Sequence, residues 1–118
     1  MNLLIVEDNP RMRQMLQELL KALPISVNCA ADAHDAVEKA QSIQPELVLM
    51  DILLPERDGI ELTRQFLDEG WVDHVYIVTE CKEQRFRHAA STAGAERYFL
   101  KDNLIEVRNA VSDFLLGS

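Results

Sequence analysis

The feature that most constrains this chain is an alternation of two periodicities. Short apolar runs, "LLIV" (3–6), "ISVNCA" (25–30), "LVLM" (47–50), "VYIV" (75–78) and "RYFL" (97–100), are separated by longer stretches with helical spacing. Met12, Met15, Leu16, Leu19, Leu20 and Leu23 form the first such stripe, with Asn9-Pro10 as its start signal and Pro24 as its expected stop. Asp32 opens a second, carrying Ala36, Val37, Ala40 and Ile43 and ending before Pro45. Asp58-x-x-Glu61 resembles a capping box ahead of Leu62, Phe66 and Leu67. Phe86, Ala89, Ala90 and Ala93 form the fourth, closed by Gly94; Leu104, Val107, Val111, Phe114 and Leu115 form the last.

Five short strands alternating with five helices demand parallel pairing, because each helix between two strands is a crossover. The continuous rather than alternating character of "LVLM" fits a strand covered on both faces. Right-handed crossovers leave few topologies. The natural one is a flavodoxin-like (βα)5 three-layer α/β sandwich with strand order 2-1-3-4-5, occupying residues 1–118 as one domain. Ligands in such folds bind beyond the carboxyl ends of the strands, at the switch between strands 1 and 3.

The residues that follow the apolar runs therefore matter most. They are Glu7-Asp8, Asp51, Thr79 and Lys101. Asp51 is the most demanding, since it stands between "LVLM" and "ILLP". Neighbouring strands lie about 4.8 Å apart, so these side chains form a row. Three carboxylates in one cleft repel unless a cation intervenes. Mg²⁺, a hard octahedral ion, suits Asp8 and Asp51 as direct ligands, Glu7 through water and the carbonyl of Leu53. Asp51 then keeps an oxygen free to attack a phosphoryl group, with Lys101 and Thr79 placed for the product's charge.

"VED" at 6–8, "MDILLPERDGIEL" at 50–62, "VT" at 78–79 and "YFLKD" at 98–102 together resemble the response-regulator receiver domains of two-component signalling, the CheY-like family. The resemblance covers essentially the whole chain. It implies that Asp51 accepts a phosphoryl group from a histidine kinase or a histidine phosphotransfer protein, and that Glu7, Asp8, Asp51 and the Leu53 carbonyl hold Mg²⁺. It further implies that Lys101 pairs with the phosphorylated site, that Thr79 moves toward the phosphate, and that Tyr98 turns inward as the coupled aromatic switch. The face of helix 4, strand 5 and helix 5 would then change its affinity for a partner, a C-terminal effector domain or a second copy of the chain. The protein would be a switch rather than an enzyme, supporting only its own phosphorylation and dephosphorylation. Three positions depart from the family's commonest pattern: Glu80 replaces a small residue, Asp102 replaces proline, and Leu53 puts an aliphatic side chain beside the acceptor. A carboxylate at Glu80 would obstruct the mouth of the site or repel an anionic donor.

Composition narrows the alternatives. Twenty acidic against 12 basic residues give a formal charge of -8, which argues against direct nucleic-acid binding by this chain. No apolar run approaches the roughly 20 residues that span a bilayer, and "MNLLIVEDNP" lacks the basic start of an export signal, so a cytoplasmic setting is expected. Cys29 and Cys81 have no paired spacing. His34, His74 and His88 are expected on the surface, Asp58 as a helix cap, Gly59 as a tight helix entry and Trp71 over the end of helix 3. A receiver-like interaction module that is never phosphorylated is the competing function. A phosphatase using Asp51 is disfavoured, because Leu53 stands where such enzymes place a second acid. Flavin binding lacks a Ser/Thr-rich loop where this chain has "EDNP".

Overall fold

The computed structural model describes residues 1–117. Among them five strands and five helices alternate: β1 (Asn2–Val6), α1 (Pro10–Leu20), β2 (Ser26–Ala30), α2 (Ala33–Ile43), β3 (Leu47–Met50), α3 (Gly59–Asp68), β4 (Val75–Thr79), α4 (Gln84–Ala93), β5 (Arg97–Leu100) and α5 (Leu104–Gly117). The strands pair in parallel in the order β2-β1-β3-β4-β5, as the alternation predicts.

Two cores lie on opposite faces of the sheet, and the period-2 geometry of the strands assigns residues to each. Leu3, Ile5, Leu47, Leu49, Tyr76, Val78 and Phe99 pack with Leu16 and Leu20 of α1 and Val107, Ala110 and Val111 of α5. Leu4, Val6, Val48, Met50, Val75 and Ile77 pack with Ala36 and Ala40 of α2, Leu62 and Phe66 of α3, and Ala90 and Ala93 of α4. Trp71 meets Phe66 edge-on at 5.9 Å, covering the end of α3 as expected.

The helix starts follow their sequence signals. The Asn9 side chain accepts from the Met12 N–H, Asp32 from the Asp35 N–H and Asp58 from the Ile60 N–H. The reciprocal half of the capping box at Asp58 is absent among the described residues. Glu61 instead pairs with Arg57 at 3.0 Å, because an arginine one turn away offers it a charged donor. The stop of α1 also differs from expectation. The helix ends at Leu20, short of Pro24, where the Lys21 N–H bonds to Glu18 and the Leu23 N–H to Leu20 in tight turns. In a continued helix Pro24 would have no N–H to give the Leu20 carbonyl and its ring would clash with that carbonyl, so the helix stops at Leu20.

His74 lies at the surface as expected, its side chain 39% exposed, but it is partnered there. Its Nδ1 pairs with the Glu96 carboxylate, and its ring meets Phe114 of α5 edge-on at 5.0 Å. His34 and His88 are exposed. Both cysteines are free thiols, Cys29 half-buried and Cys81 buried. No helix among the described residues is long and apolar enough to cross a membrane.

Candidate phosphoacceptor and cation site

The parallel register brings the strand tips together. Val6 pairs with Met50, and the Asp51 N–H bonds to the Val6 carbonyl at 3.0 Å, setting Glu7 beside Asp51. Thr79 pairs with Leu100, and the Lys101 N–H bonds to the Thr79 carbonyl at 2.9 Å. Strand parity then divides the row. Glu7 continues the Leu3–Ile5 face, Asp51 the Leu47–Leu49 face and Lys101 the Phe99 face, all on the side of α1 and α5. Thr79 continues the Val75–Ile77 face, on the side of α4. Tyr98, paired in register with Ile77, lies against that same core.

Glu7 and Asp51 are 2% and 3% exposed, a degree of burial that carboxylates show only when partnered. Lys101 partners both. Its Nζ lies 2.7 Å from Glu7 Oε1 and 3.0 Å from Asp51 Oδ2. The Asn9 N–H donates to Glu7 Oε2 at 3.1 Å, and the Leu53 N–H donates to Asp51 Oδ1 at 3.4 Å. Asp8 is exposed, yet one carboxylate oxygen each from Glu7, Asp8 and Asp51 lie within 4.8 Å of one another. Leu53 stands on the loop after Asp51, 55% exposed and with its backbone bridged to Asp58. Thr79 is wholly buried, and its Oγ1 accepts the Cys81 N–H at 3.4 Å. The Tyr98 hydroxyl donates to the Cys81 carbonyl at 2.7 Å, with the Arg87 guanidinium 4.6 Å over its ring. Glu80 is exposed and lines a shallow depression with Met12, Lys82, Lys101 and Asp102.

One lysine cannot neutralise three acids. Burial, the strongest influence, pushes the Glu7 carboxyl up to about 7. The Lys101 hydrogen bond opposes that rise and the Asp51 charge adds to it. Burial alone would lower Lys101, but its bonds to Glu7 and Asp51 outweigh it and the ammonium is held above its usual range. All-oxygen donors, two of them buried and repelling, fit a hard divalent ion such as Mg²⁺.

A raised folded-state carboxyl means that the native protein binds the Glu7 proton more tightly than the unfolded chain does. Stability without metal is therefore expected to fall as pH rises from about 4.5 through about 7, and to stay low above. Glu7→Gln is expected to flatten that decline, measured by urea unfolding in chelator-treated buffer on both sides of the window. An equal slope in the variant would assign the decline to other groups.

Asp51, Glu7 and Lys101 thus meet as the sequence expects, Asp8 lies beside them, and Thr79 and Tyr98 stand on the other face. Arg13 also reaches this site. Its Nη1 donates to the carbonyls of both Glu7 and Asp8, at 2.8 and 3.1 Å. A charged residue on the first turn of α1, outside the apolar stripe, carries no sequence signal that distinguishes it from a solvated one.

With this geometry in place, comparison with known proteins places the chain in a family. Residues 3–112 match the family model described as "Response regulator receiver domain". The chain is 34% identical over 113 residues to the chemotaxis protein CheY of Halobacterium salinarum, covering 95% of this chain and 94% of that one. It is 32% identical over 117 residues to the transcriptional regulatory protein PdtaR of Mycobacterium tuberculosis, but spans only 57% of that protein's length. A LuxR-family two-component response regulator from Aurantimonas sp. superposes with a TM-score of 0.88 at 31% identity, over 98% of this chain and 85% of that one. The chain belongs to the family of response regulator receiver domains.

Proposed function

We propose that the protein is a phosphorylation-driven signalling switch whose acceptor is Asp51. One observation carries the reading: Glu7, Asp8 and Asp51 offer carboxylate oxygens within 4.8 Å of one another while the Lys101 ammonium bridges two of them. A buried charge surplus of this kind is costly to fold, and phosphoryl transfer is the chemistry it suits. Glu7, Asp8, Asp51 and the Leu53 carbonyl would hold Mg²⁺, which when bound neutralises charge on the transferred phosphoryl group.

The remaining steps belong to the chain's own residues. The phosphoryl group leaves a histidine nitrogen of a histidine kinase or histidine phosphotransfer protein. Its P–N bond breaks as a P–O bond forms to an Asp51 oxygen, and the donor imidazole takes up a proton. Lys101, already 3.0 Å from Asp51 Oδ2, needs only a small displacement to pair with a phosphoryl oxygen. Thr79 would have to exchange its bond with the Cys81 N–H for one to the phosphoryl group. That exchange moves the loop whose Cys81 carbonyl holds Tyr98, the link to the α4–β5–α5 face and to an output partner, an effector domain or a second copy. Shifting a two-state equilibrium from mostly off to mostly on takes about 5.5 kcal/mol of differential stabilisation. Water attack on the acyl phosphate resets the switch, and Leu53, with an aliphatic side chain, offers no proton donor for rapid turnover of other phosphate esters.

Incubation with acetyl phosphate and Mg²⁺ is expected to add one phosphoryl group by intact-protein mass spectrometry, and none when a chelator removes the metal. No gain with the metal present would favour the unphosphorylated interaction module instead. Sustained hydrolysis of a phosphate ester would favour the phosphatase. Tyr98→Phe is expected to cost about 1 kcal/mol in urea unfolding, since it deletes one hydrogen bond and leaves the Cys81 carbonyl without it. It should leave phosphoryl uptake intact.

A further inference from the structure

Glu7 and Asp8 are consecutive, and consecutive side chains of an extended chain point to opposite sheet faces. Glu7 follows Leu3 and Ile5 toward α1 and α5. Asp8, had β1 continued, would follow Leu4 and Val6 into the other core. Yet both carboxylates meet Asp51 in one cluster. The backbone must turn between them, and the turn needs support. Neither the Glu7 nor the Asp8 carbonyl accepts a backbone N–H among the described residues. Both accept from the same nitrogen, Arg13 Nη1, at 2.8 and 3.1 Å. The Arg13 N–H is itself bonded to the Asn9 carbonyl at 3.0 Å, which seats the residue one helical turn beyond the loop it clasps.

We infer that Arg13 is a positioning residue for the cation site: its guanidinium fixes the Glu7–Asp8 turn and so aims the exposed Asp8 carboxylate at Glu7 and Asp51. This rests on the cation-binding reading given above. The division of labour between the two cations follows from their partners. Lys101 spends its donors on carboxylates, whereas the Arg13 bonds go to carbonyls, so the acids keep their charge for a metal. An always-charged, planar guanidinium holds a fixed orientation across two acceptors, which a flexible ammonium does with less definition.

The test is calorimetric titration of Mg²⁺ alone into metal-free protein. Arg13→Met, which keeps an unbranched stem and loses every donor, is expected to weaken Mg²⁺ binding on the order of tenfold, the low end of what loss of a ligand-orienting partner costs. Arg13→Lys is expected to recover part of that loss, since an ammonium can reach one carbonyl. A merely structural role would lower the urea midpoint and leave the dissociation constant unchanged. Arg13→Met protein that folds and binds Mg²⁺ as tightly as the wild type overturns the inference, whatever its stability. If Arg13→Met does not fold, Arg13→Lys decides alone: weakened binding supports the inference and wild-type affinity overturns it. Wild-type protein that takes up no Mg²⁺ overturns the cation-binding reading itself, a failure visible before any variant is made.

Discussion

Asp51→Asn is expected to take no phosphoryl group from acetyl phosphate and yet to be more stable than its parent in metal-free buffer. The first half follows from the loss of the only nucleophilic oxygen that the proposal uses. The second follows from charge. Glu7 and Asp51 share one ammonium in a pocket where both are nearly inaccessible, and the Asp51 charge raises the cost of ionising Glu7. Removing one of two like charges leaves Lys101 and Glu7 as a balanced pair. Functional sites commonly hold such unfavourable arrangements, and relieving them raises stability as activity disappears. A gain on the order of 1 kcal/mol in urea unfolding is expected. It should shrink when Mg²⁺ is added, because the metal stabilises only the parent. A variant that is less stable than the wild type without metal would contradict the picture of a strained acidic pocket. Retained phosphoryl uptake would remove Asp51 as the acceptor.

Gly59→Ala is expected to destabilise the fold by about 3 kcal/mol or more, near the upper range for forcing a methyl group into a packed site. A Cβ built on Gly59 falls 1.9 Å from the Asp51 carbonyl oxygen, 2.8 Å from its carbonyl carbon and 2.9 Å from Ile52 Cα. All three are backbone atoms, so no side chain can swing aside. The same glycine donates its N–H to the Ile52 carbonyl at 2.8 Å, which ties the start of α3 to the loop that follows Asp51. Any accommodation has to move Asp51 itself. Urea unfolding should therefore report the lost stability, and Mg²⁺ titration of the folded fraction should report a weakened site. Wild-type affinity in a destabilised variant would mean that the loop yields elsewhere.

Much of this architecture was legible from periodicity. Five apolar runs separated by helical stripes leave little beyond a doubly covered parallel sheet, and the residues after four of those runs supply the candidate site. Asp51 was conspicuous because a carboxylate interrupts an otherwise apolar stretch, and Lys101 because it follows another. What stayed hidden has a common cause. Arg13 bonds to main-chain carbonyls, and carbonyls have no letter in a sequence. The partners of the surface residue His74 were hidden because Glu96 and Phe114 come from distant segments. The end of α1 at Leu20 reflects competition between an apolar stripe that extends to Leu23 and a proline whose influence reaches back along the chain. Strand parity carries a further signal. Counting by twos from Leu3 sends Glu7 and Asp8 in opposite directions, which forecasts a turn at the point where Arg13 supplies the support.

The bond from the Tyr98 hydroxyl to the Cys81 carbonyl has a consequence for how far a disturbance at the strand tips must travel. Cys81 is two residues past Thr79, and Tyr98 is fixed by register opposite Ile77, two residues before it. The phenol therefore closes a short loop of chain around the buried threonine. Rearranging that segment must either rupture the bond or drag the ring along, and the Arg87 guanidinium resting on the ring ties α4 to the same outcome. Under the proposed mechanism, a charge added on one side of the sheet would be reported on the other by slack taken up in a few residues.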